Sequence, residues 1–221
     1  MRKTLFSGIA ACLLATAATA AEQSPSVIWT VGQADRSASE FALAPDRFRD
    51  FLANDFGYED KYFLVGHSVP AADFPYVLPG PADTWGGTWP TSGWRTHQVN
   101  ILFGLKEIPS DGTCTLVVDL LDYAKNFLPL VKVSVNTQDA KFQLDAPGLC
   151  VADQRKPNQM EKIVDTLSIT GNLAKATPRR LEIPIRPGVL KAGGNEVTIT
   201  VLECSWILFD RVSLEGPAGT N

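Results

Sequence analysis

Alternation of apolar and polar residues with a period of two dominates the second half of the chain. From Glu196 to Leu202, Val197, Ile199 and Val201 take one face while Glu196, Thr198 and Thr200 take the other. That is the pattern of a strand wetted on one side. In the next segment Trp206, Leu208, Val212 and Leu214 share a parity, with a tight corner expected at Glu203 and Cys204 and Ser205 following it, so two consecutive antiparallel strands are predicted. Earlier windows predict strands at Val27 to Val31, Phe63 to Gly66, His97 to Leu105, Cys114 to Asp122, Val131 to Asn136, Lys141 to Leu144 and Arg180 to Ile185. About nine short strands separated by Gly, Pro, Asn and Asp clusters are the signature of an all-β sandwich or jelly roll. Trp29 and Trp206, on strands in apolar parity, are expected in the core.

Helical signals are few. Asp46 to Leu52 fits two turns with Asp46 near the start, and Asn158 to Leu167 fits another with Asn158 as cap. Neither is long enough to carry a domain. The irregular stretch from Asp145 to Lys162 falls inside the sandwich pattern, so a single antiparallel domain is expected from about residue 24 to 216.

The first residues, MRKTLFSGIAACLLATAATAAEQ, place Arg2 and Lys3 before an apolar run that ends in small residues at Ala18 and Ala20. This is the layout of a secretory signal peptide, residues 1–20, with cleavage expected after Ala20 or Ala21. The run is shorter than the roughly 20 residues of a membrane span, and Cys12 sits too early for the alternative of a lipid acceptor. A secreted or periplasmic protein without stable membrane insertion is therefore expected. The net charge of −4 becomes about −6 once Arg2 and Lys3 are removed, a balance that disfavours nucleic acid. With 17 Gly and 15 Pro among 221 residues, the composition is that of a turn-rich globular chain, neither collagen-like nor disordered.

Three cysteines remain beyond the leader, Cys114, Cys150 and Cys204, which permits one pair and one spare thiol in any of three combinations. Cys-His metal spacing is absent. Asp119, Asp122 and Asp210 lie in or beside strands of Val, Leu and Ile, and burying carboxylates is costly without compensation. Backbone N–H groups, an Arg partner or a structural calcium would each supply it.

The window Asp73 to His97, DFPYVLPGPADTWGGTWPTSGWRTH, holds three of the five tryptophans among glycines and prolines. Trp85, Trp89 and Trp94 on a surface loop would offer flat faces to the C–H side of a pyranose, and Arg95 a planar fork for a uronate carboxylate. The same rings folded back would instead form a lid over the end of the sandwich. His97 shares parity with Val99, Ile101, Phe103 and Leu105, which points its ring to the core side, with a ligand contact at the strand entrance as the alternative. His67 follows a short apolar strand and carries the same two readings. No Gly-x-Ser-x-Gly elbow supports a serine nucleophile.

Taken together, IWTVGQADRSASEFALAP, FLVGHS, DFPYVLPGPADTWGG, GTCTLVVDLLD, VKVSVN, FQL and RRLEIPIRPGVLKAGGNEVTITVLECSWILFDRVSLE resemble the third, C-terminal domain of rhamnogalacturonan lyases of polysaccharide lyase family four. The resemblance implies a galactose-binding-like jelly-roll sandwich, similar to many carbohydrate-binding modules. It also implies that catalysis belongs to a separate N-terminal domain carrying a Lys and His pair, so this chain resembles the accessory module made as a free-standing secreted protein. Two departures stand out: the loop from Ala146 to Lys162 is longer than the family pattern, and Cys204 replaces a small residue before Ser205 and Trp206. A bridge between Cys150 and Cys204 is the pairing chosen on that comparison.

The expected function is a non-catalytic module that binds an acidic or pectin-like polysaccharide, with Trp85, Trp89, Trp94, Arg95 and His97 as the contact set and no cofactor beyond the calcium considered above. An enzymatic alternative, a polysaccharide lyase or glycoside hydrolase, would use His67 or His97 as base and Arg95 to neutralise the carboxylate. A third alternative is a structural or protein-docking domain. A monomer is expected.

Overall fold

The computed structural model describes residues 26–87, 97–109, 113–125, 127–144 and 169–217. Among these residues ten strands form two five-stranded sheets. The first runs β1 (Ser26–Gly32), β10 (Ile207–Gly216), β5 (Thr115–Tyr123) and β8 (Arg179–Pro184), with the short β3 (Val77–Leu78) also paired to β10. The second runs β2 (Tyr62–Leu64), β4 (Gln98–Leu105), β9 (Gly193–Glu203), β6 (Leu130–Val135) and β7 (Gln138–Gln143). The two sheets close on one apolar core, as a jelly-roll sandwich requires.

Burial follows the alternation in the second sheet. Val131, Val133 and Val135 of β6 and Val197, Ile199 and Val201 of β9 are buried, and their odd positions pair across the ladder. Aromatic rings join the two layers. Phe74 lies 5.5 Å from Phe41, 5.7 Å from Phe63 of β2 and 5.1 Å from Phe209 of β10, centroid to centroid. Each such pair adds about 0.5–1.5 kcal/mol beyond the area it buries. Trp29 and Trp206 are both in the core, as their parity predicts.

Three expectations are corrected. β2 runs parallel to β4, pairing Phe63 with Ile101, so the sandwich is not wholly antiparallel. The corner at Glu203 and Cys204 does not make a hairpin, because β9 pairs with β4 and β6 while β10 pairs with β1, β3 and β5. Cys204 takes φ 69°, the left-handed region, and the short link Cys204 to Trp206 carries the chain from one sheet to the other. The predicted helix at Asp46 to Leu52 is two short 3-10 turns, Phe48–Asp50 and Leu52–Asn54, since Phe48 and Phe51 are pulled into the core and Asp55 ends the run at φ 61°. Asn158 to Leu167 lies outside the described residues.

Candidate functional site

The tryptophan window begins at one end of the sandwich, on a base that is tightly built. Gly80 N–H donates to Asp83 Oδ2 at 2.8 Å, Ser205 Oγ donates to Asp83 Oδ1 at 2.7 Å, and Ala82 N–H donates to the Cys204 carbonyl at 2.8 Å. A Cβ on Gly80 would stand 2.3 Å from the Cys204 carbonyl oxygen, so only glycine permits this approach. Burial raises the Asp83 carboxyl to about 7 against the opposing pull of its two hydrogen bonds. Cys204 is disulfide-bonded and Cys114 is a buried free thiol, while Cys150, the expected partner of Cys204, lies outside the described residues.

Trp85 is partly buried on this base and meets Phe48 edge to face at 5.1 Å and Phe51 at 6.0 Å. Its ring is engaged by protein, in the manner of the folded-back arrangement. His97 is 6% exposed, hydrogen-bonded to the backbone of Pro79, and burial lowers it to about 4. Its Nδ1 has no hydrogen-bond partner among the described residues. Trp89, Trp94 and Arg95 lie outside the described residues.

A different hollow opens toward the other end of the second sheet. Seven positions beyond His97, or ~23 Å at the rise of an extended strand, Gly104 of β4 pairs with Gly194 of β9. A Cβ on either would meet nothing within 4 Å. Two adjacent missing side chains leave a bare patch of backbone on the outer face, and around it lies a cavity of about 510 Å³. Leu64 and Leu102 supply its apolar surface, and His67, Lys191, Glu196 and Asn136 its polar rim.

The rim is held by two asparagines. Asn195 is 3% exposed; its Oδ1 accepts from Asn136 Nδ2 at 2.8 Å and from the Lys191 N–H at 2.9 Å, and its Nδ2 donates to the carbonyls of Lys191 and Gly193. Asn136, at φ 49° in the β6–β7 turn, also donates to the Val189 carbonyl and accepts from the Glu196 N–H. These bonds fix the backbone under Lys191 and Glu196. The side chains of His67 and Lys191 are exposed, and that of Glu196 is half-buried.

This arrangement can do two things chemically. Aliphatic surface beside bare backbone accepts a flat, partly apolar ring, while an ammonium, a carboxylate and an imidazole at its edge can hydrogen-bond hydroxyl or carboxylate groups. Among the described residues, His67 is the one predicted site residue that lines the hollow. The others were missed, although a signal existed: Gly104 interrupts the predicted strand His97 to Leu105, and a glycine inside a strand often marks a close approach of something else.

Each of the three strand aspartates contacts protein donors. Asp119 accepts from Arg211 Nε at 2.9 Å and pairs with Arg180 at 3.3 Å, and Glu215 extends the network. Asp122 pairs with Lys125 and accepts from the Thr177 N–H, and Asp210 accepts from the Arg36 N–H at 3.0 Å. Arginine and lysine thus meet Asp119 and Asp122, whereas burial and the neighbouring Asp35 and Asp119 hold the Asp210 carboxyl up at about 6. Among the described residues no group of three or more His, Cys, Asp or Glu is placed to hold a metal ion.

Several solved structures share features of the chain at low similarity. A family 35 carbohydrate-binding module from an environmental isolate is 14% identical over 57% of this chain and 73% of its own, with a TM-score of 0.32. A ruminal GH26 endo-β-1,4-mannanase is 12% identical over 87% of this chain and 26% of its own, with a TM-score of 0.35. A family GH115 4-O-methyl-α-glucuronidase with specificity for decorated arabinogalactans is 15% identical over 55% of this chain, with a TM-score of 0.32, and the match spans only 13% of that enzyme. No curated protein matches the sequence. The family model "CBM-like: Polysaccharide lyase family 4, domain III" matches residues 27–214, nearly the whole of the described sandwich, and the chain belongs to that family.

Proposed function

We propose that this chain is a secreted or periplasmic, non-catalytic module that holds an acidic, pectin-like polysaccharide in the hollow above Gly104 and Gly194. The observation that carries the reading is that paired glycine floor, a place where the outer face of a sheet is stripped of side chains and flanked by Leu64 and Leu102. A pyranose laid there covers apolar surface with its C–H face. Lys191 meets a uronate carboxylate, and Glu196 accepts from ring hydroxyls. CBM-like family membership supports carbohydrate as the ligand class.

Affinity electrophoresis in gels containing polygalacturonate, or a neutral galactan as control, tests the reading. Retardation by polygalacturonate that is lost in Gly194→Leu and weakened in Lys191→Gln is the expected result. Unaltered migration of the native protein in every gel, or equal retardation of both variants, overturns it. Because His67 and Lys191 line one hollow, the same mixtures should be followed for the ultraviolet absorbance of an unsaturated uronate. Its appearance would replace binding by β-elimination, with His67 as base.

A further inference from the structure

A second hollow lies at the first sheet and shares no described lining residue with the hollow over the glycine pair. Its floor is Tyr76 and Leu208, both 1% exposed, and its walls are Ala38, Ala44, Pro45 and Leu173. The volume is about 220 Å³, which corresponds to about seven waters at roughly 30 Å³ each. Among the described residues no charged side chain lines it.

The loop over this hollow is pinned along its length. Gln33 N–H donates to Glu40, Arg36 N–H to Asp210, Ser37 N–H to Asp35, and Phe41 N–H to the Ala38 carbonyl. On the far side, the chain at Gly171 sits at φ 89°, where an added Cβ would lie 2.9 Å from Pro45. These contacts hold the two walls apart in the folded chain. Folded proteins leave few voids larger than a water molecule, and water in an apolar space of this size finds few partners.

The polar inventory narrows what would displace that water. Tyr76 donates its hydroxyl proton to the Ile169 carbonyl, and Ser37 Oγ donates to Ser39 Oγ at 2.9 Å. The Ser39 hydroxyl proton has no acceptor among the described residues, so the hollow offers one donor at an exposed edge and apolar surface below. We propose that this hollow is a second binding site, independent of the first, for a short neutral acyl group such as an acetyl ester. The methyl enters against Leu208 and Leu173, and the carbonyl oxygen accepts from Ser39. An acetyl group satisfies both demands, having a compact apolar end and an acceptor without a donor.

Two sources could deliver such a group, a small free ester or an acetylated sugar. Amide chemical shifts of 15N-labelled protein, titrated separately with ethyl acetate, methyl 6-O-acetyl-glucoside and methyl glucoside, distinguish them. Shifts at residues 37–45 and 171–173 with both acetyl compounds, and none with methyl glucoside, are expected. Shifts with ethyl acetate alone restrict the site to free esters and still support it. Ser39→Ala should weaken binding about fivefold, the loss of one hydrogen bond, and Ala38→Leu, which fills the half-open wall, should abolish the shifts while the rest of the spectrum stays native. Equal shifts from methyl glucoside, an absence of shifts up to the solubility limit of ethyl acetate, or undiminished binding in a folded Ala38→Leu protein would overturn the proposal.

Discussion

Gly104 of β4 and Gly194 of β9 stand directly opposite one another, and neither position has an atom within 4 Å of where a Cβ would be. Strand interiors usually avoid glycine, which costs roughly 0.5–1 kcal/mol relative to alanine. Gly194→Leu is therefore expected to leave the melting temperature unchanged or raise it, while glycan retardation falls at least about tenfold as the floor fills. The neighbouring Gly193→Ala has the opposite signature. Gly193 sits at φ 92°, where a side chain is strained, so this variant should lose ~1–2 kcal/mol in urea denaturation.

Asn195 is expected to be the costliest polar residue near the hollow. Its side chain makes four hydrogen bonds in a buried setting, and Asn195→Ala leaves the Lys191 N–H and two carbonyls without partners. A loss of about 1–3 kcal/mol is expected from the part-buried groups left unpaired. Retardation in the polygalacturonate gel should fall with it, since the backbone under Lys191 is released. Full stability in this variant, measured by urea titration, would show that water replaces the side chain.

Two kinds of buried group should shape the pH profile in opposite directions. His97 falls from 6.5 to about 4 on folding through burial, so the unfolded chain holds more protons between those values. Its contribution is present above pH 6.5 and is lost as the pH falls toward 4. Asp83 rises from 3.8 to about 7 and Asp210 to about 6, both through burial, so the native state keeps protons the unfolded chain has released. Their contribution is present below pH 3.8 and is lost as the pH rises through about 6 to 7. The stability difference between native protein and His97→Gln should thus shrink on acidification, and that between native protein and Asp83→Asn should shrink on going from pH 4 to 8. Each change is on the order of 1 kcal/mol for every tenfold difference in proton affinity between the folded and unfolded chain. Urea titrations across that range measure both.

The Asp119 network lies on the first sheet and has no part in the hollow over β4 and β9. Arg211→Met leaves Asp119 only the longer contact to Arg180 at 3.3 Å. A loss of about 1–3 kcal/mol, with unchanged glycan retardation, is expected from a largely buried charge stripped of its nearer partner. Altered retardation would mean that the two faces are coupled.

Reduction separates the cysteines. Cys204 is disulfide-bonded beside the Asp83 turn, and breaking a native bridge of this kind costs about 2–5 kcal/mol. A lower melting temperature in reductant is expected, together with a Cys114 thiol that reacts with a disulfide reagent only after denaturation, being 6% exposed with its pKa raised by burial.

Most of the strand pattern is legible because alternation is a local property. Val197, Ile199 and Val201 declare a half-buried strand without reference to any other part of the chain, and β9 lies where they place it. The corner after Glu203 reads as a hairpin because adjacency along the chain stands in for adjacency in space. The sheet each strand joins depends on its partners, and β10 found β1 and β5. The same limit applies to the site. Tryptophans draw attention in a sequence, yet Trp85 rests on Phe48 and Phe51, neighbours that only folding supplies.

By itself the sequence determined the all-β architecture, the core parity of Trp29, Trp206 and His97, and the likeness to one domain family, all carried by periodicity and ordered motifs. The tertiary structure decided where a ligand has room. Gly104 and Gly194 lie ninety positions apart, and each is only a weak strand residue until strand pairing sets them side by side. A hollow is made by atoms that are missing from two strands at once, and no single segment of chain encodes that coincidence.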